Sequence, residues 1–230
     1  MKMAVRKFFV FAALATAFAA PQIAVGQTGS LTMSGYAYPT ALRFNVTGHN
    51  NVGAGGFNAS FNRTGPTPAA SFVAYCIDLS QTFSWNSSFT VTETWPISLF
   101  GGFRTGALDR LYTQHFAEAT TPVLSAAFQL AVWEIVSETS AATYGALDLD
   151  TGSFRATSGN STARTTADNW LHALGAGPTN GYVLTALVSG SRQDQMMATP
   201  VPEPETYMML LAGLGLMGFV ARRRQKGIAA

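Results

Sequence analysis

A chain of 230 residues, 47% hydrophobic and only 11% charged, has room for one ordinary domain once its two ends are set aside. The formal charge of +2 sits in those ends: between positions 27 and 200 there are seven arginines, ten acidic residues and no lysine. An acidic middle offers no basic patch to a phosphate backbone, which argues against nucleic acid as a partner, and a single cysteine, Cys76, excludes an internal disulfide.

At the N terminus, Lys2, Arg6 and Lys7 are followed by an apolar run from Phe8 to Ala20 and by the small-x-small triplet Ala24-Val25-Gly26. Charge, apolar run and small residues in that order predict a signal peptide over 1–26, cut by signal peptidase after Gly26. Residues 27–199 are then an exported domain. Its first part reads as short strands at 30–38, 41–46, 71–79 and 88–94, rich in Val, Phe, Tyr, Thr and Ile. Gly48 to Gly56 and Gly65-Pro66-Thr67-Pro68 read as the breaks between them.

The period then changes. Residues 105–119 predict a helix with Leu108, Leu111, Tyr112 and Phe116 on one side. Thr121-Pro122 is a helix start, an N-cap followed by proline at the first helical position. The helix it opens runs through Leu124, Phe128, Ala131, Val132, Ile135 and Val136 to about position 138. A third helix is expected at 162–174 and a strand at 182–189. The class is α+β: a β-sandwich-like domain with a helical insertion.

Pro200-Val201-Pro202-Glu203-Pro204-Glu205 is held extended by its prolines. An apolar run from Thr206 to Ala221 follows, closed by Arg222-Arg223-Arg224-Gln225-Lys226. About sixteen residues at roughly 1.5 Å each give ~24 Å against a hydrocarbon core of ~30 Å. A transmembrane helix so short suits transient residence in a membrane, with its arginines on the cytoplasmic side. This order of elements resembles the PEP-CTERM sorting signal. The resemblance implies that 200–230 is read by an exosortase, a membrane cysteine transpeptidase. Pro202, Glu203 and Pro204 are then the sorting motif, and Arg222, Arg223 and Arg224 the basic stop. It further implies a destination at the cell surface or in the extracellular matrix of a bacterium that makes exopolysaccharide, where adhesion and biofilm are the expected roles.

Two residues of the middle domain point to chemistry. Gln129 shares a helical face with Val132, Trp133 and Val136, where an unpartnered primary amide costs roughly 1–3 kcal/mol. Cys76 lies in the apolar strand Val73-Ala74-Tyr75-Cys76-Ile77-Asp78-Leu79. Singly, each reads as structural: a core glutamine bonded to backbone, and a small buried hydrophobe. Together, Tyr75-Cys76-Ile77 followed by Gln129-Leu130-Ala131-Val132-Trp133 resembles the thioester domains of bacterial surface adhesins. The resemblance implies a thioester between Cys76 and Gln129, with Tyr75, Phe128 and Trp133 as the dry wall of its pocket. A surface or matrix target bearing an amine or hydroxyl would capture the acyl group once, so the protein is not expected to be an enzyme. The lysine-free middle supplies no internal amine to consume such a bond.

The alternative is a non-covalent structural or polysaccharide-associated matrix protein with an inert buried cysteine. A hydrolase is disfavoured, because His49, His115 and His172 lack any G-x-S-x-G, H-E-x-x-H or papain-like context. Neither a metal nor a cofactor is expected.

Overall fold

A computed structural model describes residues 26–66, 68–139, 143–202 and 208–218. The sequence-predicted signal peptide lies almost wholly outside these residues. Among these residues, nine strands and three α-helices build the domain. The strands are β1 (Thr28–Tyr36), β2 (Leu42–Val46), β3 (His49–Ala54), β4 (Phe57–Arg63), β5 (Ala70–Cys76), β6 (Phe89–Thr94), β7 (Ala156–Ser158), β8 (Tyr182–Val188) and β9 (Gln195–Pro200). The helices are α1 (Pro96–His115), α2 (Pro122–Ser137) and α3 (Ser161–Ala173).

The class is α+β, with the β-rich part closed into a barrel in the order β1-β4-β5-β9-β8-β6 and a small second sheet, β3-β2-β7, beside it. The pairings within the barrel are antiparallel. Alternation selects the inward faces: Leu31 and Met33 on β1, and Phe57, Ala59 and Phe61 on β4, are buried while Asn58, Ser60 and Asn62 face out. Register matches these sets, with Leu31 opposite Phe61.

Segment 49–54, read from its glycine and asparagine content as a break, is a strand paired with β2, with Leu42 opposite Ala54. β9 gave no strand signal, since Gln195, Met196 and Met197 are not β-branched. Its pairing comes from closure between β5 and β8. α1 begins nine residues earlier than its periodicity indicates, at Pro96, because Gly101 breaks the pattern with a kink at φ 73°.

α2 is the axis of the core. Every residue from Ser125 to Val136 is buried, and Thr121 caps its start by accepting a hydrogen bond from the Leu124 N–H at 3.2 Å. One charged pair is built into the barrel wall. Glu93 of β6, 1% exposed, receives a fork from Arg63 of β4, with Nη2 to Oε1 at 2.7 Å and Nε to Oε2 at 3.2 Å. Removing the guanidinium leaves a buried carboxylate uncompensated. Arg63→Ala is therefore expected to cost roughly 3–5 kcal/mol, measured as a lower urea midpoint at unchanged slope. An unmoved midpoint would show that water reaches Glu93.

Candidate functional site

Sequence alternation and a missing strand create the site together. β4 pairs with β5 only as far as Phe57 opposite Ala74, two residues short of Cys76. On the other side of β5, Cys76 lies opposite Gln195, and the Ile77 N–H bonds Asp194 O at 3.0 Å. Successive residues of a strand send their amide groups to opposite sides. The Cys76 N–H and C=O therefore face the side that β4 has left, where a buried pair would be costly unmet.

Gln129 of α2 meets both. Its Oε1 accepts the Cys76 N–H at 2.9 Å, and its Nε2 donates to the Cys76 carbonyl at 2.8 Å. The side-chain amide thus continues the ladder in place of a strand. Cys76 and Gln129, 53 positions apart, are both fully buried.

The i, i+4, i+8 row of α2 carries the site. Ser125, one turn before Gln129, accepts the Gly56 N–H at 2.8 Å and bonds the Tyr75 hydroxyl at 3.1 Å. Gly56 must lack a side chain there, since a Cβ would lie 2.6 Å from Val73 Cγ1 and 3.0 Å from the Tyr75 ring. Trp133, one turn after Gln129, is buried near Cys76, where its indole N–H favours the thiolate without making a hydrogen bond. Tyr75 packs on Phe128 with ring centroids 4.6 Å apart, and Tyr112 meets the same Phe128 edge-on at 4.9 Å. The sequence-predicted set Tyr75, Cys76, Phe128, Gln129 and Trp133 thus clusters where α2 crosses β5. Ser125 escaped sequence reading, although a serine four residues before Gln129 on an apolar helix is a visible signal.

The thiol is held neutral. Burial pushes its pKa up to about 12 from 9.0, outweighing the Trp133 N–H and the Asp78 backbone, which act in the opposite direction. The sulfur donates to the Asp78 carbonyl at 2.9 Å and accepts its N–H at 3.4 Å. Among the described residues no group of histidine, cysteine and carboxylate side chains is arranged to hold a metal ion.

The tail begins where β9 ends, with the Val201 N–H bonded to Gly181 O at 2.9 Å. Pro202 is exposed, while Glu203, Pro204 and Arg222 to Arg224 lie outside the described residues. Residues 208–218 are helical and exposed. Among the described residues no helix is long and apolar enough to cross a membrane.

Residues 200–224 match the PEP-CTERM protein-sorting motif. That motif implies an exported protein processed at its C terminus by an exosortase. Comparison with curated proteins finds no match. Two solved structures are similar: the N-terminal thioester domain of a surface protein from Clostridium perfringens, and a cysteine-to-alanine mutant of it. Both are 13% identical, covering 76% of this chain and 99% of theirs, with TM-scores of 0.47 and 0.43.

Glu134, the residue after Trp133, ties its Oε1 to the Asp148 N–H at 3.2 Å. Burial, and then the neighbouring Glu138 charge, raise its pKa from 4.5 to about 8. Between those values the folded chain holds the proton that the unfolded chain has lost, so stability falls as pH rises through this window. Melting temperature is expected to decline from pH 5 toward pH 8, and Glu134→Gln to flatten the decline. A slope unaltered in the variant would assign the dependence to other groups.

Proposed function

We propose that the domain carries a thioester between Cys76 Sγ and Gln129 Cδ, used for one covalent attachment to an amine or hydroxyl of a surface or matrix target. The observation that carries this reading is the double hydrogen bond between the Gln129 amide and the Cys76 peptide. It holds the electrophilic carbon beside the cysteine in a fully buried interior, which supplies proximity without an entropy cost at the moment of reaction.

The step balances without a further reagent. The sulfur rotates away from the Asp78 carbonyl and attacks Cδ, forming S–C as C–N breaks. The thiol proton leaves with the amide nitrogen as ammonia. Charge that develops on Oε1 falls on the Cys76 N–H, a preset donor at 2.9 Å. Because burial disfavours the thiolate, the proton has to move with the attack rather than before it. Tyr75, Phe128 and Trp133 keep water from the product. A target nucleophile then takes the Gln129 acyl group and returns Cys76 as a thiol.

The same two hydrogen bonds also support a second reading. Gln129 would be a ladder cap with every polar atom satisfied and Cys76 an inert core residue, in a matrix protein that acts without covalent chemistry. Intact mass separates the two. Protein isolated at mildly acidic pH, without amine buffers, is expected to weigh one ammonia less than its sequence, and Cys76→Ala or Gln129→Ala to weigh its full mass. Wild type at full mass would remove the thioester and leave the cap.

We further infer that the tail passes transiently through the inner membrane and that the exosortase acts at Pro202-Glu203-Pro204, delivering the domain to the cell surface or matrix. The short apolar run supports handover over permanent anchoring. C-terminal mass spectrometry of the released protein is expected to find an end near this motif, and Glu203→Ala to leave precursor in the inner membrane. Surface protein that retains Arg222 to Arg224 would make the segment an ordinary anchor.

A further inference from the structure

We infer that a cleft outside the Cys76–Gln129 site binds a saccharide. The cleft, about 350 Å³, is lined by Tyr36, Arg43, Phe57, Phe83, Trp85 and Gln193, with Thr82 and Gly53 completing its wall. It stands apart from the thioester reading, since none of these residues takes part in the proposed bond.

Its aromatic wall is organised rather than incidental. Trp85 is 42% exposed on a loop, yet its ring is braced by Phe83 at 4.8 Å, Tyr36 at 5.2 Å and Phe57 at 5.7 Å, all edge-on. Such bracing fixes the ring before any ligand arrives. The loop itself is tied down. The Gln193 N–H bonds Thr82 O at 3.4 Å, the Asn86 N–H bonds Met33 O at 2.8 Å, and Ser88 Oγ meets Thr32 Oγ1 at 2.6 Å. Gly53 completes the arrangement by lacking a side chain, because a Cβ there would run into the Tyr36 hydroxyl.

The polar groups choose the ligand class. Arg43 is held by one hydrogen bond, Nη1 to Asn51 O at 2.9 Å, beside the phenol of Tyr36. Its planar fork, the Gln193 amide and the Thr82 hydroxyl give directional donors and acceptors around the aromatic face. The lining holds no carboxylate and no lysine. A pyranose ring has the matching two-sided surface: a patch of C–H bonds that lies on an indole, and a rim of hydroxyls that takes two hydrogen bonds from a guanidinium or amide. Arg43 keeps only its bond to Asn51 O, and Gln193 Oε1 accepts from Gln195 Nε2 at 3.3 Å. An apolar peptide would therefore desolvate the remaining guanidinium N–H groups and the Gln193 Nε2 without pairing them, which disfavours it. The volume suits one or two sugar units. Gln193 lies two residues from Gln195, the ladder partner of Cys76, so a glycan held here is anchored close to the buried pair in the fold.

The test uses the full-length Cys76→Ala chain in a detergent without a sugar headgroup, so that no covalent product contributes. Calorimetric titration with cellotetraose, maltotetraose, mannotetraose, chitotetraose and tetragalacturonate is expected to detect binding of at least one probe. Trp85→Ala and Arg43→Ala should each weaken it roughly tenfold or more. Trp95→Ala, an exposed tryptophan outside the cleft, should leave it unchanged. Melting curves check that each variant folds. No heat with any probe up to about 10 mM, binding that survives Trp85→Ala, or preference for an apolar peptide over every sugar would each overturn the proposal. Loss of the ammonia deficit in wild type would not bear on it.

Discussion

The structure turns on a peptide group that has lost its strand. Where β4 stops pairing at Ala74, the N–H and C=O of Cys76 face the protein interior, and one glutamine side chain supplies both missing partners. An amide in a dry interior cannot leave such groups unmet without a penalty of roughly 1–3 kcal/mol each. Gln129 therefore fixes the height and rotation of α2 against the barrel. Once that residue is set, the 3.6-residue repeat places Ser125 against Tyr75 and brings Trp133 to the Cys76 end of the same row. A helix buried on all sides has no solvent face to orient it, so this polar row does what an amphipathic stripe does elsewhere.

The same low-polarity surroundings shape the chemistry around α2. They hold the Cys76 thiol neutral and raise Glu134 to about 8, because an interior without counter-charges disfavours ions of either kind. Where the barrel does carry a buried charge, at Glu93, a forked guanidinium accompanies it. A neutral thiol beside a neutral amide is quiescent toward solvent and toward oxidation. What is left to drive a reaction between them is position.

α2 was legible in the sequence because its start is chemically marked: Thr121 caps and Pro122 follows, and the cap bond forms as that pattern predicts. The Cys76–Gln129 pairing was legible only through a two-part motif, since no local property of Tyr75-Cys76-Ile77 specifies a partner 53 residues away. Closure into a barrel was not legible. It depends on pairings such as Thr28 with Thr92 and Tyr75 with Met196, whose separations no local pattern encodes. β3 was hidden because Asn50, Asn51 and Gly53 are poor strand formers, and only pairing with β2 makes them one. The aromatic cleft was invisible for a related reason: Tyr36, Phe57 and Trp85 come from two strands and a loop and meet only in the folded barrel.

Folding order constrains everything proposed for the site. Cys76 belongs to a strand whose outer partner, β9, is the last element before the tail. The dry pocket is thus incomplete until the chain up to Pro200 has entered the barrel. A thioester formed earlier would sit in water beside an open strand edge and hydrolyse. The proposed bond, if formed later, would be shielded by α2 on one side and by β9 on the other. The sorting motif begins at Pro200, where β9 ends, so the strand behind Cys76 runs directly into that motif. Cleavage at the prolines beyond Pro200 would leave β9 and the pocket whole, whereas a cut only a few residues earlier would remove part of the wall behind Cys76. The domain that such cleavage would release keeps all of β9, the strand paired with Tyr75 and Cys76.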